Sequence, residues 1–312
     1  MESSAVTKSP PAFWSGVVLM VIGSVLLSAK GIMAKILFAE GLDYQEVITF
    51  RSLMALPLFW LWGVYTVGLK KILQVDRRSL TGAVGAGFFC YFIGGSADFY
   101  ALTLIDAGLE RVLLYTYPAI IVIAFSARKR QLPAQNVLLA LLMTYAGVVL
   151  AIGVIDVNLR QANTLGSTLV LFCAFTYAAY YVVNDVVGQK VGSVVFTVYA
   201  MTAATVAICV RYGLTHTLLD FEFTAKVVSS FAVLVVFVTV VPLFMLAEGV
   251  KQIGAQRAAL VSTVGPASTI ILAALVLGES MRWFQYCGIA ITLLGVMVLE
   301  WRQSQAAVVQ ES

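Results

Sequence analysis

The chain has 312 residues, of which 61% are hydrophobic and only 12% charged, with a formal net charge of +4 and a mean hydropathy of +0.94. Soluble domains carry about 25% charged residues, so this composition excludes a soluble fold and implies an integral membrane protein with the lipid bilayer as its main partner. The sequence contains no phosphate-binding glycine loop, no nucleotide-hydrolysing domain and no basic stripe suited to nucleic acid, so neither ATP-driven chemistry nor a nucleic-acid partner is expected.

Residues 1–12 form a polar tail with a single Lys8 and no small-residue cleavage pattern, so the first apolar run reads as a retained helix. A helix crossing the bilayer core takes about 20 mainly apolar residues. Ten such spans succeed one another, roughly Trp14 to Phe38, Val47 to Leu69, Leu80 to Leu104, Gly108 to Ala127, Pro133 to Ile155, Leu165 to Val187, Val191 to Leu214, Ala225 to Val250, Ala255 to Leu277 and Met281 to Trp301. The expected fold class is therefore all-α, with ten transmembrane helices, short connections and a second polar tail at residues 303–312. Lys and Arg gather on one side of these spans, as in Lys70, Lys71, Arg77, Arg78, Arg128, Lys129 and Arg130, while Glu40, Asp43, Asp106, Asp156 and Asp220 gather on the other. Because cytoplasmic loops carry the excess of Lys and Arg, both termini are expected in the cytoplasm, in the inner membrane of a bacterium.

Part of the chain occurs twice. Pro118-Ala119 opens an apolar run reaching Gly147-Val148, and Pro266-Ala267 opens another reaching Gly295-Val296, each partner 148 residues from its counterpart; Ile123 falls on Ile271 and Thr144 on Thr292. Gly16 matches Gly166, and the stretch Leu104 to Gly108 resembles Lys251 to Ala255. Five spans per half is an odd number, so the second copy, residues 157–302, must cross the bilayer in the opposite sense to the first, residues 13–156. Such inverted repeats are common in secondary transporters.

Charges inside a bilayer cost about 2.5 to 3.5 kcal/mol each on insertion scales, so they normally face a partner or a wet cavity. Lys30 and Asp98 fall at similar depth in spans one and three and can pair. Arg51 lies early in span two, and Lys35, Glu110 and Arg111 lie in the same half of the bilayer. Asp98 and Glu248, the latter near the inner end of span eight, are the candidates for proton coupling, because burial would favour proton exchange by a carboxylate. Pro118 and Pro266 interrupt spans four and nine, and such breaks are tolerated only where protein or water satisfies the freed backbone groups. Tyr115 and Tyr117 precede the first break; Ser262 and Thr263 precede the second. With Tyr91, Tyr177 and Tyr181 they are candidates to line a cavity for a small organic solute of aromatic or amphipathic character. The same tyrosines read equally as packing residues, and Lys30 with Asp98 as a structural pair. Cys90, Cys173, Cys209 and Cys287 have no paired spacing and read as packing residues; no cofactor or metal is expected. The lone His216 has no ligand set around it, and no hydrolytic constellation is found.

Ten spans in two halves, Arg51 early in span two, Ala-Leu-Thr-Leu-Ile-Asp-Ala-Gly at 101–108, the prolines of spans four and nine, and Leu277-Gly278-Glu279 before a glycine-bearing last helix together resemble the drug/metabolite transporter superfamily, EamA type. The resemblance spans the whole chain and implies a proton- or gradient-dependent carrier, often an exporter of amino acids, metabolites or drugs. It departs from a strict repeat in carrying Gln131 where the second half has Glu279. An amino acid or related metabolite is the expected substrate, because the predicted cavity mixes Lys or Arg with Asp and Tyr. A cationic drug exporter and a lipid-linked sugar flippase are the alternatives; a membrane enzyme would need a His or metal-carboxylate cluster.

Overall fold

The computed structural model describes residues 10–129, 135–152, 157–216, 224–253, 261 and 264–311, and every regular element among them is helical. The first span is two helices, α1 (Pro10–Ser28) and α2 (Lys30–Ala39), joined at Ala29; α3 (Tyr44–Val67) and the short α4 (Leu69–Leu73) follow. The third span runs through α5 (Arg77–Gly87), a π-helical stretch at Phe88–Gly94 and α6 (Gly95–Ala101). Helices α7 (Ala107–Leu114), α8 (Tyr117–Lys129) and α9 (Gln135–Ile152) complete the first half. The second half contains α10 (Val157–Val191), α11 (Ser193–Thr215), α12 (Ala225–Ala232), a second π-helical stretch at Val233–Val240, α13 (Val241–Ile253), α14 (Val264–Leu277) and α15 (Trp283–Glu311).

Six helices among the described residues are long and apolar enough to cross a membrane, and shorter apolar stretches cover 138–151, 264–277 and 283–298. The chain is thus a multi-pass membrane protein.

The repeat reappears as repeated local devices. Asp76 caps α5 by accepting from the Ser79 backbone N–H at 3.0 Å, and 148 residues later Thr224 caps α12 by accepting from the Val227 N–H at 3.3 Å. Each cap offsets donors that a helix start leaves unpaired. Each capped helix then runs into its π-helical stretch. The third span of each half therefore carries the same irregularity, a feature the apolar periodicity did not announce.

The two halves also exchange equivalent contacts. A Cβ on Gly16 of α1 would lie 2.5 Å from Ile253 Cγ2 of α13, and a Cβ on Gly166 of α10 would lie 2.5 Å from Ile105 Cγ2. Each first helix thus packs on the third span of the other half. At the far end, a Cβ on Gly147 of α9 would lie 2.4 Å from Thr292 Oγ1 of α15, and one on Gly295 would lie 2.5 Å from Thr144 Oγ1. One turn forward along α9, from Thr144 to Gly147, moves the contact one turn back along α15, from Gly295 to Thr292. These two helices therefore run antiparallel, with glycines letting their backbones touch. Reciprocal contacts of this kind mark a local twofold relation.

Candidate functional site: a charged, tyrosine-walled cavity

The break at Ala29 makes Lys30 the first residue of α2, and its ammonium lies 2.5 Å from Asp98 Oδ2 and 3.2 Å from Glu110 Oε1. The three side chains are 12%, 3% and 1% exposed. Three elements deliver them: α2 for Lys30, α6 for Asp98 directly after the π-helical turn, and α7 for Glu110. A π-helical turn shifts the register of the side chains that follow it, which is why such turns gather at functional sites.

Beside this cluster lies a cavity of about 220 Å³, lined by Lys30, Asp98, Arg51, Arg111 and the rings of Tyr91, Tyr115, Tyr117, Tyr177 and Tyr181, with Phe59, Phe99 and Met201 among its apolar walls. The Arg51 guanidinium sits 5.2 Å from the Phe99 ring and that of Arg111 5.5 Å from Tyr115, both within cation–π range. Among the described residues neither arginine forms an ion pair, and the Nε of each is buried without a hydrogen-bond partner. The tyrosines brace one another: Tyr117 stacks on Tyr181 with centroids 5.3 Å apart, and Tyr91 meets Tyr177 edge-on at 6.0 Å. The break between α7 and α8 turns Tyr115 and Tyr117 into the cavity. The Thr116 hydroxyl and backbone N–H both donate to the Leu113 carbonyl there, at 2.7 and 3.1 Å, closing the end of α7.

The turn after α14 is fastened to the first half. Gly278, at φ +68°, turns the chain so that Glu279 reaches the start of α7. Its carboxylate accepts from the Ala107 and Gly108 backbone N–H groups at 2.9 and 3.3 Å and pairs with Lys35 at 3.2 Å. On the same face Asp43 meets His216 Nε2 at 2.7 Å, and Lys226 pairs with Glu40. Each of these ties joins a segment of the first half to one of the second. Burial pushes the Asp106 carboxyl, in the loop beside them, above its ordinary range, and neighbouring Glu279 adds to the shift.

Of the residues expected at the site, Lys30, Arg51, Tyr91, Asp98, Tyr115, Tyr117, Tyr177 and Tyr181 all border this cavity. Pro118 is the second residue of α8, where a missing N–H costs least, and Pro266 lies buried in α14. Ser262 and Thr263 lie outside the described residues. Glu248 stands elsewhere: it is exposed near the end of α13 and accepts from Gln252 Nε2 at 3.0 Å, so the burial that made it a proton-coupling candidate is absent. His216, read as solitary, has Asp43 as a partner. Cys287 is exposed rather than packed.

The sequence places Glu110 and Arg111 in the same half of the bilayer as Lys30 but does not mark them as site residues. Adjacent residues on a helix point about 100° apart and do not face each other. Two buried neighbours therefore need separate environments, and that was the available signal. Among the described residues no group of three His, Cys, Asp or Glu side chains is placed to hold a metal.

The sequence matches the EamA-like transporter family twice, over residues 14–153 and 164–301. The uncharacterized transporter YcbK of Bacillus subtilis is 32% identical over 294 residues, covering 93% of this chain and 94% of its own. The uncharacterized transporter sll1319 of Synechocystis is 22% identical over 314 residues, covering 92% and 94%. A crystal structure of another protein has the same fold, with a TM-score of 0.62 at 15% identity, covering 91% of this chain and 96% of that one. Through two matched repeats and a relative aligned over almost its full length, this chain belongs to the EamA-like transporter family, within the drug/metabolite transporters.

Proposed function

We propose that this transporter is a secondary carrier of a small organic carboxylate, an amino acid or a related metabolite, which it exports across the bacterial inner membrane by alternating access. In this reading ten spans form two inverted five-helix halves with both termini cytoplasmic, and the halves rock about the cavity between them. The antiparallel contact of α9 with α15 and the exchanged Gly16 and Gly166 contacts support that arrangement.

The observation that carries the substrate reading is the pair of arginines without carboxylate partners in the cavity wall. A buried cation loses hydration and needs a counter-charge, and a guanidinium offers a planar fork that matches a carboxylate. The solute's carboxylate is the missing partner of Arg51 and Arg111. Asp98, which also borders the cavity, is the acceptor for an ammonium group, and the tyrosine and phenylalanine faces take an apolar or aromatic side chain. A volume of about 220 Å³ lies below the roughly 300–1,000 Å³ of drug-sized pockets. With three cations in the wall against one bordering carboxylate, it favours an amino acid over a cationic drug, and it is too small for a lipid-linked sugar.

Uptake and counterflow of labelled amino acids in proteoliposomes test this reading. Arg51→Gln and Arg111→Gln are each expected to weaken the solute's competition about 10- to 150-fold, as loss of a charged hydrogen-bonding partner costs roughly 1.5–3 kcal/mol. Competition by quaternary amines but not by carboxylates would replace this reading with the drug-export alternative.

A further inference from the structure

The Lys30 cluster holds one ammonium for two carboxylates. Glu110 is the recessed member: it does not border the cavity, its side chain is 1% exposed, and its buried carboxyl lies within hydrogen-bonding reach of that of Asp98. Asp98 does border the cavity, and it holds the nearer contact to Lys30, 2.5 Å against 3.2 Å. The groups around Glu110 are Lys30 from α2, Asp98 from α6, Arg111 on its own helix and the Cys173 thiol from α10. Helices α9 and α14, which also pack on α7, carry no charged residue, and the charges of α15 start at Glu300, far along that helix. The other lysine of α2, Lys35, is engaged by Glu279.

Lys30 is the one cation at ion-pair distance from either carboxylate among the described residues, Arg111 acting on both only from farther off, so a second close positive charge, a proton or the ammonium of a solute, can share the pair with it. Building on the amino-acid reading above, we propose that Glu110 is the proton-exchanging residue of this carrier and that it acts through Lys30. With a proton on Glu110, its attraction for Lys30 falls away and Lys30 stays on Asp98, occupying the place of a solute ammonium. When that proton leaves, Glu110 draws Lys30 back by the small distance that separates the two contacts, and Asp98 is freed toward the cavity. Proton and solute amine then compete for one unit of negative charge. Competition of this kind exchanges one for the other across the membrane, so an inward proton gradient drives the amine-bearing solute out. Glu110 is a positioning residue for the solute, since it never touches it.

The test compares phenylalanine with 3-phenylpropionate, which has the same ring and carboxylate but no ammonium, as competitors in reconstituted transporter between about pH 5.5 and 8.5. In the wild type, phenylalanine affinity is expected to rise with pH, approaching tenfold per pH unit for one competing proton, while phenylpropionate stays flat. Glu110→Gln imitates the protonated state and is expected to bind phenylalanine weakly and independently of pH, with phenylpropionate unaffected; Glu110→Asp is expected to restore the slope. A second measurement needs no solute: pH-difference infrared spectra of the purified protein should contain a carboxylic-acid carbonyl band that Glu110→Gln removes. Retention of the pH slope by Glu110→Gln, or an unchanged carbonyl band, overturns the proposal. If neither compound competes while the band disappears as expected, Glu110 exchanges a proton and it is the amino-acid reading that fails.

Discussion

Glu279 provides the sharpest structural perturbation, because one side chain both caps α7 in the first half and holds Lys35 from a loop of the second. Its carboxylate is only 8% exposed and receives two backbone N–H groups and one ammonium. Solvent screening, which reduces surface ion pairs to roughly 0–1 kcal/mol, is weak here. Hydrogen bonds to a charged group are worth about 1.5–3 kcal/mol net, and on the alternating-access reading these contacts are made only while the mouth of the cavity on this face is closed. Glu279→Ala is therefore expected to raise the open-to-closed ratio about 10- to 150-fold, at about 1.4 kcal/mol per tenfold. Glu279→Gln, whose amide oxygen still accepts a backbone N–H, should fall between. The assay is the labelling rate of a cysteine placed at Leu27, which borders the cavity, by a membrane-impermeant maleimide added from the Glu279 face, with the four native cysteines replaced by serine. Labelling of the Glu279→Ala protein at the unperturbed rate would refute the argument that these contacts hold the mouth shut.

Three further outcomes are expected. Gly147→Ala and Gly295→Ala each drive a Cβ to within 2.5 Å of a threonine hydroxyl on the facing helix, with backbone close behind, so each should destabilise the protein by roughly 1–3 kcal/mol; Gly85→Ala, which meets nothing within 4 Å, should be neutral or slightly stabilising, and unfolding in mixed micelles compares the three. Thr224→Ala removes the cap of α12 and should cost about 0.5–2 kcal/mol, read by thermal unfolding. Hydrogen bonds from Ser79 hold the Asp76 carboxyl below its ordinary range, so its contribution to stability is present above the usual carboxylate range and fades as pH falls through the lowered value. The thermal stability of Asp76→Ala should accordingly trail the wild type at neutral pH and converge with it in acid.

Much of the site was legible before any coordinates, because a bilayer makes charges conspicuous. In a chain with so few of them, Lys30, Arg51 and Asp98 stand out against apolar neighbours, and the cost of leaving them in lipid is enough to bring them together. The tyrosines were reachable through Pro118, since a broken helix in a membrane has to border something polar. Glu248 failed the same logic. Near the end of a span, a carboxylate can reach the interface and need not be buried, and depth along a helix does not determine which way a side chain faces.

The sequence by itself determined that the chain crosses a membrane repeatedly and that its second half repeats the first 148 residues on, since both follow from composition and from glycines, prolines and threonines that recur in register. Only the tertiary structure decided that Lys30 answers to two carboxylates, that Arg51 and Arg111 meet aromatic rings in place of acids, and that Glu279 fastens one half to the other. The physical reason is that these are relations between helices far apart in the chain, set by a kink at Ala29 and π-helical turns at Phe88–Gly94 and Val233–Val240. Those irregularities rotate side chains about a helix axis and leave the apolar pattern of the sequence unchanged.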